Sequence, residues 1–291
     1  MTTYFERIAD EWRQPAAELA AWTMRNLVNR TDVWGRYLAK KYRRQGPEGS
    51  WNNAITAPFR DERGKVSLQE SSLVKHYRTR SSGGILGLHS SSSDRTSRWL
   101  GIDVDLHDED NLSVTPEGNF VVARTWWQRL QQLGFDALLL DSNGSGGFHI
   151  LVVFESPLGS DSVHAFGKQL TADYSKLGLD RPPEIFPGEH RSHHYGNWLR
   201  LPGRHHSREH YTRVYNDEPW ADEPWLAGHD AIDRILRTRL VPLEIARAAG
   251  LDERRRTICI DFDGVLHSYV SGWCGQESSP DPPIHVTREA I

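Results

Sequence analysis

The sequence predicts an α+β fold, on three observations. Helical and strand patterns alternate along most of the chain, several joins between strands are short enough for hairpins, and no internal repeat is visible. Short joins favour a mixed or antiparallel sheet with helices against it. With 291 residues, 37% of them hydrophobic, the chain has enough apolar material for one large domain or two modest ones.

The elements follow in order. Residues 3–44 carry apolar side chains at helical spacing, among them Leu19, Trp22, Leu27, Trp34 and Leu38, and predict one or two helices stopped by Gly46 and Pro47. Residues 45–66, rich in Gly, Ser, Asn and Pro, read as a loop. SLQESSLVKHY is a short helix, GGILGLH a strand, SSSSDRTS a polar turn and WLGIDVDLH a strand. PEGNFVVARTWWQRLQQLG is a helix ending at Gly134. FDALLLDSN and GFHILVVFE are strands joined by NGSGG, residues 161–177 form a helix, and PPEIFPGEH, GNWLRLPGRHH and YTRVYN supply further strands. Residues 229–250 are helical, and TICIDFDGVLHSYVSGW opens with a buried strand.

Composition excludes several classes. No run reaches the ~20 apolar residues of a membrane span, and the start MTTYFERIADEW lacks a signal-peptide layout, so a cytoplasmic protein is expected. Cys259 and Cys274 cannot build a disulfide scaffold or a four-cysteine zinc site, which leaves oxygen and imidazole ligands for any metal. The net charge of −4 argues against a wholly basic nucleic-acid coat. Locally, Arg25, Arg30, Arg36, Lys40, Lys41, Arg43 and Arg44 form one basic set, and Arg191, Arg200, Arg204, Arg208 and Arg213 another; each reads as a solvated face or a phosphate-binding surface. Trp51 and Trp198, beside polar and basic residues, are candidates for stacking on bases.

Three constellations carry chemistry. In WLGIDVDLHD, Asp103 and Asp105 lie two apart on a strand and so share a face, while Ile102 and Val104 face the core. Paired carboxylates suit a shared Mg²⁺ or Mn²⁺, although solvated strand ends show the same pattern. In SNGSGGFHILVVF, the Gly/Ser turn before His149 offers backbone N–H groups and Ser145 for an anion; a buried core histidine is the alternative for His149. In PPEIFPGEH and YGNWLRLPGRHH, Glu184 is available as a third carboxylate, and Arg200, Arg204, His205 and His206 make a dense donor group suited to phosphate oxygens. The spacing of His190, His193, His194, His205, His206 and His210 matches no common zinc layout.

In the order IDVD, GSGGFH, then EIFP with GNWLRLPGRHH, residues 70–215 resemble the archaeo-eukaryotic primase superfamily, in particular the bacterial and phage primase-polymerase branch that includes the primases of TOTE conflict systems. The resemblance implies a primase-like core with an RRM-like sheet and a DNA primase-polymerase that joins NTPs or dNTPs on a single-stranded DNA or RNA template. It further implies two divalent cations, Mg²⁺ or Mn²⁺, on Asp103, Asp105 and Glu184, a triphosphate contact from His149, and nucleotide binding by Ser145, Arg200, Arg204 and His206. A helicase or another replication or defence protein is the implied partner. The chain departs from the family's Ser-x-His pattern: Gly147 precedes Phe148 and His149, and Ser145 lies two residues earlier.

TICIDFDGVLHSYVSGW resembles the first motif of the haloacid-dehalogenase-like phosphatases, which implies Asp261 as nucleophile and Asp263 as acid/base. Residues 257–291 are too few to enclose a core of their own. An incomplete, inactive fragment is therefore expected. The expected organisation is a helical lead and loop over 1–66, the catalytic domain over 67–245, a linker over 246–256 and the fragment over 257–291. Two alternatives stand beside the primase-polymerase: a non-catalytic nucleic-acid-binding module, and a phosphatase acting through Asp261.

Overall fold

The computed structural model describes residues 3–38, 44–45, 51–52, 54–57, 67–81, 83–105, 115–189, 196–218 and 223–251. By its internal contacts the chain divides into residues 1–254 and 255–291. The second unit, with Asp261 and Asp263, lies outside the described residues, as do Lys40, Lys41, Arg43, His190, Arg191, His193 and His194. Among the described residues no helix is long and apolar enough to cross a membrane.

The fold is α+β, and among the described residues the named strands all pair antiparallel, with one isolated parallel bridge between Phe154 and Val241. Helix α1 (Tyr4–Arg13) opens with a capping box: Thr3 Oγ1 accepts from the Glu6 N–H at 3.2 Å, and the Glu6 carboxylate accepts from the Thr3 N–H at 2.8 Å. Helix α2 (Ala16–Asn26) follows. The helical expectation fails beyond it, because residues 34–37 form strand β1 (Trp34–Tyr37). Trp34 and Leu38 stand four apart, which mimics helical spacing, yet Gly35 is a poor helix residue and here sits under the Trp198 indole. A Cβ at Gly35 would come within 2.1 Å of that ring.

The segment read as a loop also contains strands: β2 (Arg44–Gln45) and β3 (Trp51–Asn52) pair with each other, and β4 (Ala54–Ala57) pairs with β1. After α3 (Glu70–Arg78), strand β5 (Leu86–His89) joins β1, and β10 (Trp198–Arg200) joins β5, giving a four-stranded sheet in the order β10-β5-β1-β4. Strands from residues 1–66 thus share this sheet with β5 and β10, which come from the segment 67–245.

The larger sheet has six strands in the order β12-β11-β7-β8-β6-β9: β6 (Thr96–Val104), β7 (Leu138–Asp141), β8 (Phe148–Gly159), β9 (Glu184–Phe186), β11 (Arg213–Tyr215) and β12 (Trp225–Leu226). Helix α4 (Pro116–Gln132) is N-capped by Thr115, whose side chain accepts from the Gly118 N–H. Helix α5 (Ser160–Leu170) is shorter than the predicted 161–177, and residues 229–250 split into α6 (Gly228–Leu236) and α7 (Leu243–Ala248) at Pro242.

Period-two alternation gives the large sheet two unlike faces. Leu100, Ile102, Val104, Leu139, Ile150 and Val152 face one core, shared with α4 side chains such as Trp126 and Leu130. Trp99, Leu140, Leu151, Val153 and Phe186 face the other, shared with α1, α2, α3 and the Leu86, Leu88 and Leu199 side chains of the small sheet. Burial of each large aliphatic side chain contributes ~1.5–3 kcal/mol, so both faces are strongly fixed. The candidate site stands where the second face reaches its open end.

Candidate active site

On that second face the character of the side chains changes along the strands. Trp99 opposes Val153; two residues on, Gly101 opposes Leu151 and Phe186; two further, Asp103 opposes both His149 and Glu184. Directly opposite residues in an antiparallel ladder share a face, so Glu184, Asp103 and His149 form one row across β9, β6 and β8. Asp105, two residues beyond Asp103, prolongs the acidic end and is exposed. Backbone pairing, rather than loop conformation, sets these positions.

The row is electrostatically crowded. Asp103 is half-buried, and its pKa is pushed up to about 8, first by burial and then by the charges of Asp105 and Glu184; Arg200 partly opposes the rise. His149 Nε2 lies 3.5 Å from Asp103 Oδ1. Burial, with Arg200 nearby, holds the His149 pKa down at about 3, so the ring is a neutral imidazole at neutral pH. A neutral ring carries one N–H, which can donate to a carboxylate or a phosphate oxygen.

Arg200 enters from the small sheet. It is buried, and its Nη2 donates to the Ser142 carbonyl at 2.5 Å. Burial lowers its pKa, while Tyr37, Asp103, Asp105 and Asp141 push the other way. Tyr37 feels the same Arg200, Asp103 and Asp105, and burial raises its own pKa. Its ring stacks on His206 at 4.1 Å and meets the Trp198 edge at 5.4 Å. Trp198 lies over the cross-strand pair Gly35 and Gly87, where a Cβ on either would come within 2.1 Å of the indole. Two glycines therefore make room for one aromatic shelf.

Arg204 does not join this group. Its guanidinium lies 5.6 Å from the Phe5 ring, and Nη1 donates to the His205 carbonyl at 2.6 Å. Its electrostatic partners are Tyr211 and Glu209. His205 is also occupied: Nδ1 accepts from the Ser207 and Arg208 N–H groups at 3.2 and 3.1 Å.

The Gly/Ser turn differs from the expected anion cradle. The Gly144 N–H donates to Asp141 Oδ1 at 2.8 Å, and the Ser145 and Gly147 N–H groups donate to Asn143 Oδ1 at 2.8 and 2.9 Å. An Asx residue inside the turn has taken the donors that a phosphate would need. Ser145 Oγ accepts from Arg208 Nη1. The turn thus fixes the start of β8, and with it His149.

Asn197 is a positioning residue that sequence reasoning missed. Its Nδ2 donates to Glu184 Oε1 and to the Ile185 carbonyl, both at 3.0 Å, and its Oδ1 accepts from the Gly188 N–H at 2.9 Å and from Ser90 Oγ at 2.8 Å. It ties Glu184 on the large sheet's edge to Ser90 at the end of β5. Its place in GNWLR, beside Trp198 and Arg200, was the available signal.

Among the described residues no three carboxylate, imidazole or thiolate groups converge as they stand on one ion. Asp105 and Glu184 nevertheless lie close enough to Asp103 to raise its pKa, and the donors are all oxygen. That chemistry fits a hard divalent cation, with Asn197 bracing the Glu184 carboxylate through Oε1.

No protein-family model matches the chain, and no curated protein does. Among solved structures the chain is similar to the polymerase domain from Mycobacterium tuberculosis Ligase D in complex with DNA, with 14% identity over 82% of this chain and 92% of that one, and a TM-score of 0.42.

Proposed function

We propose that this protein is a template-dependent nucleotidyltransferase of the primase-polymerase type, joining NTPs or dNTPs at the row Glu184–Asp103–His149. The observation that supports this most is the row itself: one acid in direct register with a second acid and a histidine, with a further acid two residues on. Three motifs far apart in sequence meet at one sheet end. A module that only bound nucleic acid would gain nothing from crowding carboxylates where phosphates approach.

In this reading Asp103, Asp105 and Glu184 hold one or two Mg²⁺ or Mn²⁺ ions. Such ions, when bound, lower the cost of negative charge on the attacking 3′-oxygen, the α-phosphate and the departing pyrophosphate. His149, neutral and braced by the Gly/Ser turn, donates its N–H to a phosphate oxygen of the incoming nucleotide. Arg200, anchored at the Ser142 carbonyl, supplies a positive charge beside the acids. Asn197, donating to Glu184 Oε1, orients that carboxylate as a ligand. Trp198, Tyr37 and His206 offer aromatic surface next to Arg200 for a base or sugar.

The test is extension of a labelled primer on a single-stranded DNA template, with each nucleotide class and with Mg²⁺ or Mn²⁺. Incorporation that depends on template and metal, and that disappears in Asp103→Asn with Asp105→Asn, is the expected result. No incorporation by the parent protein with either metal overturns the reading.

A further inference from the structure

Beyond the row, the face of Glu184 turned towards α5 borders a cleft of about 630 Å³. Ser160, His164 and Lys168 stand at four-residue intervals along α5 and present one polar stripe to it, and Arg95 and the serines 91–93 line the facing turn. Gly167 lets α5 approach closely: a Cβ there would come within 2.6 Å of Ile185 on β9. The helix is held at its start, where the Ser160 N–H donates to the Arg95 carbonyl at 2.9 Å.

One of these polar groups lacks the partner that its burial calls for, and another is an exposed cation. Ser160 is 5% exposed, and its hydroxyl has no hydrogen-bond partner among the described residues. A buried hydroxyl left unpaired is costly, which points to a ligand oxygen or water in the cleft. Lys168 makes no ion pair with any described residue. Arg95 donates one guanidinium N–H to Asp161 at 2.6 Å, which leaves other donors of its five. Arg95 is also the one described non-glycine residue with a positive φ, 63°. Glu184 and Glu189 line the same cleft, His164 faces Glu189 at 3.9 Å, and Arg30, which also lines it, donates to both Asp32 carboxylate oxygens at 2.7 Å, so Arg95 and Lys168 are the cations offered to a ligand.

We propose that this cleft seats the phosphodiester backbone of the nucleic-acid strand whose end is presented at the carboxylate row, with Arg95, Ser160 and Lys168 contacting its phosphate oxygens. The proposal rests on the nucleotidyltransferase reading for the direction of the strand, but not for its binding. Hydroxyl and cationic donors along a groove are the usual partners of backbone phosphate and carry no base preference.

The test is fluorescence anisotropy of a short labelled oligothymidylate with the full chain across a series of salt concentrations. Arg95→Ala with Lys168→Ala is expected to weaken binding about tenfold and to lower the slope of log K against log salt by about 1.4, at ~0.7 for each single-strand phosphate contact. Lys168→Arg should restore its share of the slope, and Ser160→Ala should weaken binding without changing the slope. Thermal midpoints of all variants check that they fold. An unchanged affinity and slope in the folded double variant overturn the proposal. Loss of Mg²⁺-nucleotide affinity with DNA binding intact overturns it as well, because the cleft would then serve the nucleotide. Failure of the chemistry reads out separately: a parent protein that binds the oligonucleotide through these residues yet extends no primer keeps the strand site and loses the polymerase reading.

Discussion

Asp103 and Asp141 flank the same strand, one register position apart, and meet opposite fates. Asp103 opposes His149 across β8, Asp141 opposes Phe148, and so the two carboxylates leave the sheet on opposite faces. Asp141 is saturated. Its Oδ2 accepts from Arg213 Nε at 2.9 Å and Nη2 at 2.5 Å, and its Oδ1 accepts from the Gly144 N–H. Among the described residues Asp103 meets the His149 nitrogen at 3.5 Å, and the charges of Asp105 and Glu184 crowd it against the partial relief of Arg200. A buried acid with every lone pair engaged is structural, whereas one crowded by other acids stores unfavourable energy that a bound cation would release.

The contrast is open to breakage. The largest effect is expected from Asp103→Asn with Asp105→Asn: loss of several kcal/mol of transition-state stabilisation should cut primer extension by about 10³-fold or more. The equilibrium urea midpoint should not fall, since repulsion is removed. Arg213→Ala should do the reverse. Leaving Asp141 with the Gly144 N–H and the His210 ring nitrogen, 3.6 Å away, should cost about 2–3 kcal/mol in urea unfolding, with extension activity per folded molecule retained.

Asn197→Ala should lie between them, lowering extension by about 10–100-fold and raising the Mg²⁺ concentration needed for half-maximal rate. The measurement is a metal titration of initial rates. A change in rate with no change in metal requirement would place Asn197 outside the support of Glu184.

The smallest effect is a pH dependence in chelator-treated protein. The raised pKa of Asp103 means that the folded state binds an extra proton up to about pH 8, so stability falls as pH rises through that range. His149 and His76 have pKa values lowered to about 3 and about 4, so their contribution is present above the ordinary histidine value and is lost as pH falls below it. Between pH ~6.5 and ~8 only the Asp103 effect changes among these three, and a loss of about 1–2 kcal/mol is expected there. It should vanish in Asp103→Asn.

The sequence made part of this legible. Asp103 and Asp105 stand two apart on an obvious strand, so period two puts them on one face, but the register that sets His149 and Glu184 opposite Asp103 was not readable from local pattern. What stayed hidden depends on long-range contacts. Trp34 and Leu38 imitate a helix, and only the indole of Trp198, more than 150 residues away in sequence, shows why Gly35 belongs to a strand. Arg200 and Arg204 look alike in a donor-rich run. Which one faces the acids was decided by Ser142 and Phe5, residues that no local pattern connects to them. The turn amides looked available because Asn143 could equally have pointed to solvent.

The proposed function makes the row Glu184–Asp103–His149, with Asp105, a divalent-cation site, and leaves Asp141 outside it. Titration of Mn²⁺ into the chelator-treated full chain, followed by the loss of the free-ion electron paramagnetic resonance signal, tests it directly. Saturable binding that is retained in Arg213→Ala and abolished in Asp103→Asn with Asp105→Asn is the expected result. Equal Mn²⁺ binding by the parent and the double variant would contradict it.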